Sequence, residues 1–342
     1  MTDGEPQAPR RWAFVRRVMP WVSLGLAIFS AVSMNRRPER AWMIAVAAGV
    51  GWAVLGAFAV LDAVDVARLP KRLALAARAA RATAEYGTQS LIQLCLFFSV
   101  PFFVKALAVP AHAAFIALVG GAAAVTLWDP LCLAILRRPA GAALLQAIAT
   151  FSGLDCVLPL LGVSNRLSLL IAAAGAAAGA PLIVGGGARR RVLAALVALL
   201  ALTGAGFAGA ARLIPPAPLR FVSGAIGSKL VERELVDPSE RFDAAPERII
   251  CATAIAAPRG LRDRLRHVWH HDGIRRAQMT LEIRGGRDQG FRAWSWTRAP
   301  APGRWTCTTE TDTGQILGRV GVTIGTAAPA PVLLPRPPSP AD

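Results

Sequence analysis

The stretch Leu265 to Gly286, LRHVWHHDGIRRAQMTLEIRGG, decides how the C-terminal part of the chain folds. Met279, Leu281 and Ile283 alternate with Thr280, Glu282 and Arg284, the period that puts one set on each face of a strand. Asp272-Gly273 is a strong hairpin dipeptide between two such runs. Outward from it, Arg248–Ala256, Leu265–His271, Gln278–Arg284, Phe291–Arg298, Arg304–Thr311 and Gln315–Ile324 read as strands, punctuated by Gly285-Gly286 and Thr313-Gly314. Short strands at this density predict a small all-β, sandwich-like domain over residues 248–325. Four of the nine tryptophans (Trp269, Trp294, Trp296, Trp305) and three of the four histidines fall here.

The N-terminal side has a different texture. Mean hydropathy is +0.45 and 54% of residues are hydrophobic, more than a soluble domain carries. Apolar runs at Val18–Met34, Ala41–Leu61, Leu91–Val109, Ala113–Leu136, Ala140–Val163, Leu167–Val184 and Val192–Ile214 approach the length that crosses ~30 Å of hydrocarbon. The expectation is therefore an α-helical polytopic membrane domain with about seven transmembrane helices over residues 18–214. Residues 1–17 form a cytoplasmic N-terminus. An uncleaved first span is preferred to a signal peptide, because the apolar run is long and Arg36, Arg37 and Arg40 follow it directly. Residues 70–85 read as a basic amphipathic helix, fit either for an anionic leaflet or for an ordinary cytoplasmic loop. In the sixth run Gly175 and Gly179 have GxxxG spacing, which permits close helix packing. Residues 215–247 read as a stalk with a short helix near Ser228–Val236, and 326–342 as a disordered Pro/Ala-rich tail.

The net charge of +17 lies mostly in residues 1–214, with 20 Lys/Arg against 8 Asp/Glu. Its place between apolar runs is that of cytoplasmic loops, so nucleic acid is not the expected partner. On a seven-span reading, fourteen Lys/Arg lie on inner segments and four on outer ones. That puts the N-terminus in the cytoplasm of a bacterial inner membrane and the C-terminal domain in the periplasm. There an oxidising environment permits a bridge between Cys251 and Cys307, whose strands are possible neighbours.

Several residues are candidates for chemistry. Arg292, Trp294 and Trp296 share one strand face and form the best ligand-binding surface, since tryptophan beside arginine suits sugar rings or peptide groups. The competing reading makes one or both tryptophans core, with Arg292 as their lid. His267 and Trp269 join this candidate surface. His267, His270 and His271 do not converge as metal ligands do, and no metal or cofactor is expected. Ser295 with His267 lacks a third orienting group and a nucleophile elbow, so no catalytic residue is assigned. Lys105 and Asp155 come out at ~24 Å and ~25 Å depth on parallel spans and are expected to form an intramembrane ion pair.

The runs HVWHHDG (267–273), GGRDQGFRAWSW (285–296) and GRWTCTTETDTGQILG (303–318) resemble a C-terminal domain of unknown function found in bacterial envelope proteins. The matching positions are His267, Trp269, Arg292, Trp294, Ser295, Trp305, Gly314 and Gly318. The spans are similar to those of a family of uncharacterised proteobacterial inner-membrane proteins. The resemblance implies a β-rich domain and no established activity; Trp296 and the two cysteines depart from its pattern. The expected function is a non-enzymatic binding or scaffold module for an envelope glycan or a protein partner, displayed in the periplasm by a chain embedded in the lipid bilayer. The alternative is a membrane-embedded transporter or enzyme with the β-domain as accessory.

Overall fold

The fold is taken from a computed structural model, which describes residues 42–62, 70–183, 187–207, 209–232, 234–287, 289–298 and 300–325, with isolated positions between 18 and 29. Residues 1–17, most of the first apolar run and the tail beyond 325 lie outside the described residues.

Among the described residues, eight α-helices precede the strands: α1 (Trp42–Asp62), α2 (Lys71–Lys105), α3 (His112–Leu127), α4 (Asp129–Leu136), α5 (Pro139–Leu160), α6 (Asn165–Ala177), α7 (Ala180–Ile183) and α8 (Ala188–Phe207). Among the described residues, only α2, from Arg72, and α5 are long and apolar enough to cross a membrane. A third crossing is possible if α3 and α4, bent by 105°, form one span. This corrects the expectation of about seven transmembrane helices. For α6 the shortfall is one of length. At 1.5 Å per residue, the 13 residues of α6 reach only ~20 Å, short of a ~30 Å core. The segment 70–85 is no separate surface helix either; it is continuous with Leu91–Lys105 in the 35-residue α2.

The α3–α4 break has a local cause. Pro130 lacks the N–H that would bond the carbonyl of Thr126 four residues earlier. That carbonyl instead accepts Nε2 of Gln93 at 2.7 Å and Nε2 of Gln89 at 3.1 Å. Gln89 Nε2 also reaches Asp129 Oδ1 at 3.0 Å. The helices close around Ile92, Leu96, Phe98, Phe103 and Cys156, all buried. Gly175 and Gly179 explain the tight fit of α6. A Cβ on Gly179 would meet the Trp52 ring at 2.2 Å, and one on Gly175 would meet Leu154 Cδ1 at 2.8 Å.

The described residues of the C-terminal part form ten strands: β1 (Arg220–Gly227), β2 (Leu230–Val231), β3 (Glu234–Leu235), β4 (Arg241–Phe242), β5 (Arg248–Ala256), β6 (Arg262–His271), β7 (Ile274–Arg284), β8 (Phe291–Arg298), β9 (Gly303–Thr311) and β10 (Ile316–Ile324). One sheet runs β1-β5-β8, the other β4-β10-β9-β6-β7, and β2-β3 is a small separate hairpin. The sheet fold thus begins at Arg220, inside the segment expected to be a stalk, and the short helix expected at Ser228–Val236 is the β2-β3 hairpin. Asp272 and Gly273 both take positive φ (50° and 81°), as the two-residue turn between β6 and β7 requires. Inward residues fill two clusters, one around Ile249, Trp269, Trp305 and Val322, the other around Leu219, Ile255, Leu265 and Ile283. Trp269 and Trp305 meet edge to face with centroids 6.4 Å apart.

The sandwich docks on the helical unit. Ser164, the N-cap of α6, makes no side-chain capping bond. The cap comes from β6, where Asp263 Oδ2 accepts the Asn165 backbone N–H at 2.8 Å. Asn165 Nδ2 donates to Gln315 Oε1, and Gln315 Nε2 donates to the Ile214 carbonyl at 3.2 Å. Asn165 and Gln315 are both fully buried.

Candidate ligand-binding groove

The residues singled out in the sequence divide into an inner and an outer set. β8 sets the division, because its side chains alternate: Ala293 and Ser295 point inward, while Arg292, Trp294, Trp296 and Arg298 point outward.

The inner set is a polar chain in the core. His267 and Trp269 are fully buried, so they form no part of a ligand surface, contrary to the grouping expected from the sequence. Trp269 Nε1 donates to Ser295 Oγ at 3.0 Å. Ser295 Oγ is 2.9 Å from His267 Nδ1, and His267 Nε2 is 2.9 Å from Thr253 Oγ1. Burial lowers the His267 pKa to about 4, so the ring is neutral near pH 7. Ser295 and His267 do meet, yet both are enclosed and Thr253 occupies the other ring nitrogen. The arrangement satisfies buried polar groups and exposes no nucleophile.

Cys251 on β5 and Cys307 on β9 are joined by a disulfide between the two sheets, with Cα atoms 6.4 Å apart. Their sulfurs and His267 lie within 4.8 Å of one another. Reduced, they would offer two thiols and an imidazole to a soft metal. Bridged, the sulfurs are engaged and both His267 nitrogens already have hydroxyl partners.

The outer set forms a groove. Trp294 and Trp296 are 37% and 40% exposed, which places them on the surface rather than in the core. The β2-β3 hairpin lies alongside, its base clamped by Asp237, whose Oδ1 accepts the N–H of Ser228 at 3.0 Å and of Lys229 at 2.8 Å. Burial would raise the Asp237 pKa, but the hydrogen bonds from Ser228 and Lys229 outweigh it and the net shift is downward. From the hairpin, Glu234 forms an ion pair with Arg292. Between hairpin and β8 opens a cleft of about 670 Å³ lined by Glu232, Arg287, Gln289, Phe291, Arg292 and Trp294. That volume is in the range of small-ligand sites. The loop that forms one end passes so close to Pro258 that a Cβ on Gly285 would meet its carbonyl oxygen at 1.8 Å. Glu232, Glu234, Arg287 and Gln289 were not among the residues the sequence singled out.

The intramembrane candidates do not meet. Asp155 is fully buried and neither carboxyl oxygen has a hydrogen-bond partner, while Lys105 is exposed at the end of α2. The depth estimate matched the two residues along the membrane normal but carried no information on which way each helix turns its side chain.

A helical unit with, among the described residues, two helices long and apolar enough to cross a membrane, docked to a disulfide-braced sandwich bearing an Arg/Trp groove, is the class of protein these features define. The chain belongs to a family of unknown function (DUF5924), whose model matches residues 7–252, and a protein of unknown function (DUF2914) matches residues 262–324. No curated protein matches the chain.

Proposed function

We propose that this protein is a non-enzymatic binding module, anchored in a bacterial inner membrane, that holds an envelope glycan against the outer face of β8. The observation that carries the reading is the exposure of Trp294 and Trp296 beside Arg292 at the edge of a cleft. Exposed tryptophans of this kind give a flat apolar platform with a polar rim. Membrane attachment is supported by the two long apolar helices and by α8, where Leu193, Leu196, Val197 and Leu200 are all more than half exposed. A periplasmic position for the sandwich is supported by the Cys251–Cys307 disulfide, a feature of oxidising compartments. Alkaline phosphatase fused after residue 325 is expected to be active; an inactive fusion would remove the periplasmic assignment. Retention of the full-length protein on immobilised envelope polysaccharide tests the binding itself. Wild type should be retained and the Arg292→Ala/Trp294→Ala variant should not. Equal retention would remove the groove, and capture of a purified envelope protein in place of polysaccharide would turn the reading toward a protein partner.

A transporter or membrane-embedded enzyme is the second reading. It is favoured by the α3–α4 break, where Gln89, Gln93 and Asp129 meet inside the helical unit, and by the unpartnered Asp155. Ion flux in reconstituted vesicles that disappears in Asp155→Asn would support it over the binding module.

A further inference from the structure

We infer that the groove is built for an acidic saccharide chain with one carboxylate per sugar unit, with Glu234 occupying the place of one such carboxylate on Arg292 in the unliganded chain. The inference rests on the glycan reading above and adds the chemical class of the ligand.

Three observations converge on it. The first is the Arg292–Glu234 pair. Its side chains are 52% and 66% exposed, and an ion pair so open to water stabilises the fold little. It does hold the guanidinium at the cleft wall, where it donates to a carboxylate. Glu234 uses one carboxylate oxygen on Nη1, and a ligand carboxylate can replace it at small cost while offering the guanidinium two oxygens. The second is an unbalanced surface beyond the cleft. Arg248 on β5 stands directly opposite Arg298 on β8, and both are exposed. Like charges facing each other across a ladder destabilise it. Among the described residues neither has an ion-pair partner; Arg298 instead leans over the Trp296 ring at 5.0 Å. An acidic chain lying along β8 would neutralise what the protein leaves uncompensated. The third is the charge of the cleft. Its lining holds Arg287 and Arg292 against Glu232, so once Glu234 gives up Arg292 the cleft has a surplus of one positive charge. That suits a monoanionic uronic acid better than a phosphate ester, which carries nearly two negative charges and would face Glu232. Trp294 supplies the wall for the pyranose ring, and Trp296 follows it two residues along the same face, ~7 Å away.

The test is titration calorimetry of the full-length protein in detergent with three oligosaccharides of one backbone: an oligouronate, its carboxyl-reduced neutral form, and a phosphorylated neutral form. The oligouronate should bind at least tenfold more tightly than the reduced form. Arg292→Gln should erase that preference, and Trp294→Ala should weaken both ligands alike. Glu234→Ala should tighten oligouronate binding several-fold, a gain that misfolding cannot mimic. Equal affinity for the uronate and reduced forms, or no tightening in Glu234→Ala, would overturn the carboxylate inference and leave the glycan reading standing. Preference for the phosphorylated form would overturn it in favour of a phosphate ligand. Binding of none of the three would overturn both.

Discussion

Asp263, near the start of β6, accepts the backbone N–H of Asn165 at 2.8 Å and so caps α6 from 98 residues away in the chain. Burial raises the Asp263 pKa, outweighing the hydrogen bonds from Asn165 and Arg264 that lower it. The carboxylate gains from the partial positive charge at a helix N-terminus. Asp263→Ala should therefore cost about 1 kcal/mol, the usual worth of a cap, while Asp263→Asn keeps a side-chain acceptor and should cost less. Paired thermal melts of the two variants check this, and equal losses would show that the cap is not what Asp263 contributes.

The disulfide closes a loop with sequence separation 56, for which chain entropy gives a stabilisation of about 4 kcal/mol. Cys251→Ala/Cys307→Ala should unfold at clearly lower temperature than wild type, and reductant should have little effect on the variant. Peptide mass spectrometry without reduction should recover the two cysteines linked; two free thiols in protein isolated from its native cells would refute the bridge.

His267 makes stability depend on pH in one direction. Its folded pKa, about 4, lies below the ordinary value of 6.5. Above pH 6.5 neither state binds a proton and nothing is lost. Between 6.5 and about 4 the unfolded chain takes up a proton that the folded chain refuses, so stability falls with pH. At about 1.4 kcal/mol per pH unit the fall reaches roughly 3 kcal/mol. His267→Gln should flatten the wild-type slope in that window in denaturant titrations at stepped pH. Parallel slopes would mean that other groups dominate acid sensitivity.

Gly179 faces the Trp52 ring so closely that a methyl group has no room. Gly179→Ala should lower the yield of folded protein, and Trp52→Ala in the same chain should restore part of it. Additive losses would indicate that the two positions act independently.

How far the sequence could be read depended on whether a local pattern carried the information. Strict alternation and turn dipeptides located β5 (Arg248–Ala256) and β8 (Phe291–Arg298) at their observed ends, and the outward face of Arg292, Trp294 and Trp296 followed from the same period. β1 escaped because Pro215, Pro216 and Pro218 mark the segment as a linker; only its pairing with β5, from Ala256 back to Ile250, makes it a strand. The β2-β3 hairpin escaped because Leu230-Val231-Glu232-Arg233-Glu234-Leu235 is short and charged, with helix-like spacing. Span counting failed for a related reason. Apolarity alone does not distinguish helix surface that faces lipid from surface that faces another helix, and the stop at Ala177 or the break at Trp128 hardly changes local hydropathy. His267 and Trp269 were assigned to the surface because the alternation of β6 gave two faces without saying which one the second sheet covers.

The Asn165–Gln315 contact also sets an order of assembly. Asn165 leaves the ribosome 150 residues before the side chain that will bury it. At about 5–20 residues per second, that interval is roughly 8–30 s. The start of α6 lacks its cap until Asp263 follows 98 residues on, and the Asn165 side-chain amide lacks its buried partner for the whole interval. A chain that stalls before β10 keeps the Asn165 amide without its partner, and only the last strand closes both the sandwich and its seam with the helices.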